Sequence, residues 1–315
     1  MVYETFQTKL TEKLTQLFGP DYLLLVQKIP KNNGVMQDGL CISRKNSPIA
    51  PAVYLNSYYE LYQAGVSIDE ISEEIYLLYS QDCGLSYVDF SVINDFSKLR
   101  DKIACKLIHT DFNRELLKDI PSVPYLDLSI IFYLYLEENE SGQMTALIHN
   151  HHMVLWNTSL EELYRLALEN TPVLFPPDLK SMSQIMRDIR NQSTNDRELH
   201  DFANDLPKSQ ALSPLYVLTN SSGINGASAI LYPHVLRDFS RQLKHDLVII
   251  PSSIHEVLLV PYDEHLSLDK LTDMVNQVNQ TEVPLEEHLS NHVYYYSGEA
   301  DQVLILQDSS APQPC

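Results

Sequence analysis

Apolar residues recur along the chain with two distinct periods, and the alternation of those periods predicts the elements. Phe6, Leu10, Leu14 and Leu17 fall on one stripe at helical spacing, predicting a helix over Tyr3 to Phe18 that Gly19-Pro20 stops. Tyr22 to Ile29 and Val35 to Ser43 read as strands joined through Pro30-Lys31-Asn32-Asn33-Gly34, a hairpin with a longer loop. Ser47 to Pro51 is punctuated by proline, and Val53 to Leu55 is a short strand. Tyr58 to Ala64 reads as a helix. A second helix opens at Ser67, where Glu70 three residues on completes a capping box and Ile68, Ile71, Ile75 and Leu78 share a face. Val92 to Leu99 predicts a further helix and Ile103 to Ile108 a strand.

Pro121 and Pro124 mark a boundary between lobes, giving an N-terminal α+β lobe over 1–120 and a C-terminal one over 121–308. Leu126 to Leu136 and Met144 to Trp156, rich in β-branched and aromatic residues, predict long strands with Gly142 in the turn between them. Thr158 and Glu161 form a second capping box for a helix to about Glu169, closed by Pro172, Pro176 and Pro177. Arg190 to Lys208 is polar and reads as an exposed connector. Leu215 to Thr219 is a strand, Asn220 to Gly226 a turn, and His234 to Lys244 a helix. Leu247 to Pro251 and Val257 to Val260 form a strand pair, followed by a helix over Leu268 to Val278 and strands at Val293 to Ser297 and Val303 to Leu306. Residues 309–315 read as a disordered tail. Helices mix with antiparallel strand pairs without a βαβ rhythm, so the fold class is α+β: mixed, largely antiparallel sheets with flanking helices, in two lobes.

Charge narrows the choice of partner. The 315 residues carry 22 Lys and Arg against 42 Asp and Glu, a net charge of −20 spread along the chain. A polyanion would be repelled, which disfavours nucleic acid and anionic membrane surfaces. No apolar run approaches the ~20 residues of a spanning helix. The first nineteen residues, with Glu4, Lys9, Glu12 and Lys13, lack the apolar core of a signal peptide, which points to the cytoplasm. Cys41, Cys83, Cys105 and Cys315 lie far apart, with neither a disulfide framework nor zinc spacing.

Candidate chemistry concentrates in one loop. A strand ends at Asn220, Ser221, Ser222, Gly223, Asn225 and Gly226, whose backbone amides could cradle an anion, with Arg237, Arg241 and Lys244 on the helix that follows. The loop matches no nucleotide-binding fingerprint, and glycine's tolerance of positive φ accounts for Gly223 and Gly226 equally well. His149, His151 and His152 are dense; on a strand His149 and His151 would share a face, but two ligands make no metal site. His288 and His292 are separated by the spacing of a metalloprotease motif, yet Leu289 stands where that motif needs Glu. No G-x-S-x-G occurs, and Ser252, Ser253 and His255 are adjacent without triad geometry. The tyrosines, including Tyr58, Tyr59, Tyr62, Tyr76, Tyr79 and the run Tyr294 to Tyr296, read as partly buried with the hydroxyl in water. No catalytic residue, metal or cofactor is indicated.

Three stretches carry a resemblance: Glu161 to Thr171, Leu215 to Pro233 and Asp246 to Val260. They resemble a domain-of-unknown-function family from anaerobic Firmicutes, especially gut clostridia, best over about residues 120 to 300, and also a second uncharacterised bacillar family. The resemblance implies a cytoplasmic bacterial protein and transfers no activity. Two functions remain: a non-enzymatic interaction or regulatory protein with a protein partner, or a small-anion or nucleotide binder or enzyme using the Asn220–Gly226 loop.

Overall fold

The computed structural model describes residues 1–45, 52–81, 95–139, 142–192, 214–264 and 266–306. The class is α+β, with each strand pairing whose register is described running antiparallel. Among the described residues no helix is long and apolar enough to cross a membrane. Ser47 to Pro51, the first residues of the Val92 helix, most of the Arg190 to Lys208 stretch, Cys83 and the tail lie outside the described residues.

The chain forms two compact units, Met1–Arg100 with Leu136–Met144, and Asp101–Tyr135 with Thr145–Cys315. In the first, α1 (Tyr3–Phe18), α2 (Leu55–Gln63) and α3 (Ile68–Gln81) pack on a sheet of order β1-β2-β3, formed by Tyr22–Pro30, Met36–Arg44 and Ala52–Tyr54. Phe6, Leu10 and Leu14 of α1 meet Leu40 and Ile42 of β2, Leu55 of α2, and Ile71 and Ile75 of α3 in one core. The β1–β2 hairpin turns through Asn33 and Gly34, both at positive φ, and pairs without a bulge from Tyr22↔Arg44 to Pro30↔Met36. The Ser67 capping box closes in both directions: Glu70 N donates to Ser67 Oγ (3.1 Å) and Ser67 N to Glu70 Oε2 (2.9 Å).

The remaining sheets belong to the second unit, apart from the strand residues in the Leu136–Met144 stretch, which fall in the first. Helix α4 (Phe96–Leu99), ending just before the unit begins, precedes β4 (Ile103–His109), which pairs with β6 (Leu128–Asn139); β5 (Ser122–Tyr125) lies on the other side of β6, and β7 (Gly142–Leu147) also pairs with β6. A six-stranded sheet runs β13-β12-β10-β11-β9-β8, from Gln302–Ile305, Tyr294–Ser297, Leu247–Ser253, Glu256–Pro261, Tyr216–Asn220 and Pro177–Ser181. Its interior strands carry Leu247, Val248, Ile249, Val257 and Leu259, all with no exposed surface. The helices are α5 (Asn150–Trp156), α6 (Leu160–Leu174), α7 (Met182–Gln192), α8 (Val235–Leu243) and α9 (Leu268–Thr281). Thr171 and Asn170 of α6 bind β4 directly, through Cys105 N to Thr171 Oγ1 and Asn170 Nδ2 to the Ile103 carbonyl (both 3.0 Å).

Several expectations need correction. Pro121 and Pro124, read as a lobe boundary, fall inside the second unit, because β4 before them pairs with β6 after them. The long strand over Met144 to Trp156 stops at Leu147, and Asn150 begins a helix. One local and two long-range contacts favour that start: His149 N donates to His152 Nδ1 (3.0 Å), and Asn150 bonds the Asp119 and Lys118 carbonyls some thirty residues earlier (3.0 Å each). The cap of α6 is one residue later than expected, with Ser159 Oγ accepting from Glu162 N (3.2 Å). That helix passes Glu169 and takes Pro172 into its last turn. The strands β5 and β8, each carrying a proline, lie at the ends of their sheet orders, where a missing N–H is tolerated.

Candidate functional site

The Asn220–Gly226 loop has the sharp form its composition demands, and its amides are engaged within the protein. Ser221 N donates to the Pro176 carbonyl (2.8 Å), Ser222 N to Asn220 Oδ1 (3.1 Å), Gly223 N to the Asn220 carbonyl (3.1 Å), Ile224 N to Ser222 Oγ (3.2 Å) and Asn225 N to His255 Nδ1 (3.2 Å). Asn220, 3% exposed, closes the loop from inside by donating to the Ile224 carbonyl (2.9 Å). Positive φ occurs at Gly223 and Asn225. Gly226 is required for a different reason: a Cβ there would lie 2.1 Å from Thr219 Oγ1 and 2.4 Å from the His255 carbonyl. Arg237 donates to the neighbouring Asp238 (3.2 Å), while Arg241 is exposed; both guanidinium groups act electrostatically on Tyr296. Among the described residues neither arginine bonds the loop.

A second cluster surrounds Asp127, in the turn between β5 and β6. Its Oδ2 accepts from Ser290 Oγ (2.6 Å) and His292 Nδ1 (3.0 Å), and its Oδ1 from Tyr294 O–H (2.8 Å). His109 Nε2 stands 3.8 Å from Oδ2. Burial pushes the carboxyl pKa up, but the hydrogen bonds from Ser290, His292 and Tyr294 outweigh it and hold the group below its ordinary value. Burial drives His109 downward despite the facing carboxylate, and burial with Asp127 drives the Tyr294 phenol upward. Ser290 donates to the carboxylate, and its Oγ accepts from His292 N (2.8 Å). Serine therefore hands no proton to an imidazole, and the Ser–His–Asp trio is not a nucleophile relay. Asp127 fastens the strand β12 region to the β5–β6 turn.

The rest of the Tyr294 to Tyr296 run follows the same rule. Tyr295 donates to Asp246 and Tyr296 to Asp301 (2.6 Å), so each hydroxyl of the run meets a carboxylate instead of the water expected for it. The histidine cluster caps α5. His151 and His152 have ring centroids 4.0 Å apart, and His152 stacks on Trp156 at 5.2 Å. Burial, then His151 and His149, lowers His152 to about 4. Among the described residues no group of three or more His, Cys, Asp or Glu is arranged to hold a metal ion.

The first unit contains a groove of about 580 Å³, lined by Gln7, Thr8, Thr11, Glu12, Thr15 and Gln16 of α1 and by Val26 of β1. The six helix residues form one face at i, i+1, i+4, i+5 spacing. Opposite it, β1 pairs with β2 along one edge, and among the described residues no strand pairs with its other edge. Exposed edge strands are usually blunted by charge, proline or a bulge. From Tyr22 to Gln27 β1 has none of these; Lys28 is ion-paired with Asp38 (2.9 Å), and Pro30 stands at the end. Leu23 and Leu25 are 60% and 54% exposed. Thr8 and Thr15 hydroxyls bond helix carbonyls, whereas Thr11 Oγ1 is buried with no hydrogen-bond partner. Sequence reasoning read α1 only through its apolar stripe and missed this polar face; the regular Thr and Gln spacing was the available signal.

No curated protein and no solved structure matches the chain. One family model does, over residues 3–298, and the chain thus belongs to a family of unknown function, DUF5688.

Proposed function

We propose that this protein is a non-enzymatic interaction or regulatory protein of the bacterial cytoplasm, and that it binds a protein partner along the free edge of β1 beneath α1. The observation that carries the reading is the nine-residue edge strand, unpaired on one side among the described residues and without charge, proline or bulge through its first six, beside a groove walled by α1. An added strand would pair with the backbone of β1 and place alternate side chains against Val26 and the α1 face. Strand addition draws affinity from main-chain hydrogen bonds and specificity from flanking pockets. The polar clusters of the second unit lend indirect support, since their donors and acceptors already serve one another. Anion binding by Asn220, Ser221, Ser222, Gly223, Asn225 and Gly226 with Arg237 and Arg241 has less support, because five successive loop amides have acceptors within the chain.

Site-specific photocrosslinking in cells tests the reading. A photoreactive residue at Leu25 should give a discrete protein adduct, while the same residue at Val173, 77% exposed on α6, should give none. Absence of any Leu25 adduct, or equal labelling at both positions, overturns it.

A further inference from the structure

We infer that the partner at the β1 edge is a second copy of this chain, related by a two-fold axis passing beside Val26; this rests on the binding role proposed above. The argument begins with the order of residues on α1. The groove face reads Gln7, Thr8, Thr11, Glu12, Thr15, Gln16. Reversed, it reads Gln, Thr, Glu, Thr, Thr, Gln. Two copies of α1 packed antiparallel about the midpoint between Thr11 and Glu12 therefore set Gln7 against the partner's Gln16, Thr8 against the partner's Thr15, and Thr11 against the partner's Glu12. An isologous interface requires this self-complementarity, in which residue i meets j and j meets i.

The strand below obeys the same axis. β1 runs Tyr22–Pro30, so Val26 is its central residue, and Val26 is the strand residue that lines the groove. Antiparallel pairing of two β1 edges about Val26 sets Leu25 opposite the partner's Gln27 and Leu23 opposite the partner's Ile29. The two three-stranded sheets then become one six-stranded sheet with the open edge removed.

Polar chemistry at the centre fits as well. At the axis the partner's Glu12 lies against the half-buried Thr11 side chain, twice by symmetry. In a chain of net charge −20, Glu12 is the lone charged residue of this six-residue face, so the axis brings together one carboxylate from each copy and no other charge of the face. Nine strand residues and six helix residues per copy, fifteen in all, fall below the ~20–30 residues a side of a standard interface, which fits a dimer that dissociates on dilution.

The test is the mass of the full chain by light scattering and sedimentation equilibrium at micromolar concentration. Wild type should be a dimer that dissociates on dilution. Thr8 and Thr15 are exposed, so Thr8→Glu with Thr15→Glu leaves the core alone and sets like charges against each other twice; the dissociation constant should rise by about tenfold or more. Thr8→Lys with Thr15→Glu sets opposite charges at the same two places and should keep the dimer, which separates a lost interface from a lost fold. A wild-type monomer, a double-Glu variant that stays dimeric, or a Lys/Glu variant as monomeric as the double-Glu one overturns the inference. A wild-type monomer whose Leu25 cross-links to a different protein removes the second copy and leaves the binding role standing.

Discussion

The Asp127 cluster and the α1–β1 groove are built from similar residue types and differ in saturation. Around Asp127, two hydroxyls and an imidazole converge on one carboxylate that is 14% exposed by side chain, and a second imidazole stands just beyond hydrogen-bonding distance. In the groove, a threonine hydroxyl is buried without a partner and a strand edge has no strand beside it among the described residues. The first pattern is that of a fastening and the second that of a surface awaiting a contact. Polar residues alone therefore do not mark a working site; what distinguishes the groove is a strand edge unpaired among the described residues beside an open space.

Breaking the fastening should give the largest effect. Asp127→Ala strands the Ser290 hydroxyl and the fully buried Tyr294 hydroxyl together, and we expect a loss of about 3 kcal/mol or more in urea unfolding. Unchanged stability would show that the cluster is incidental. Gly226→Ala should follow, at about 2 kcal/mol, because its Cβ would press on the Thr219 hydroxyl and on the backbone at His255 and Asn220. In the first unit, Ser67→Ala removes one half of a closed capping box, and about 1 kcal/mol should be lost.

Acid sharpens the comparison further. The folded pKa of His152 is depressed to about 4, so the folded chain resists the proton that the unfolded chain takes up near ~6.5. Its contribution to stability is present above ~6.5 and declines as pH falls toward about 4. Asp127 acts in the same direction at lower pH: its depressed carboxyl contributes above the unfolded value of ~3.9 and loses that contribution as pH falls through the folded one. Trp156 is the chain's single tryptophan and stacks on His152, so the folded chain's fluorescence should titrate at the folded His152 value of about 4. His152→Gln should abolish that titration; its persistence in the variant would place the responsible group elsewhere.

How much of this was legible depends on the range of the interaction. α1, the β1–β2 hairpin and the Ser67–Glu70 box were readable because their causes lie within a few residues. Asn150 to Trp156 was misread because its apolar composition suits a strand, while the deciding bonds come from Asp119 and Lys118, some thirty residues earlier in sequence. β5 and β8 were hidden by prolines that only an edge position explains. Asp127 meets Ser290, His292 and Tyr294 across more than 160 positions, and no spacing announces such a meeting. Its one trace was the tyrosine run. The groove face was written locally in Gln7 to Gln16, but the helical period drew attention to leucines and away from the threonines beside them.

Residue-resolved amide exchange along β1 tests the central claim most directly. Alternate amides bond β2 and should stay protected at every concentration. The intervening amides, facing the open edge, should be protected at high protein concentration and lose that protection on dilution or in the Thr8→Glu, Thr15→Glu variant. If those amides exchange at the rate of an unpaired edge under all of these conditions, no strand adds there and the account is contradicted.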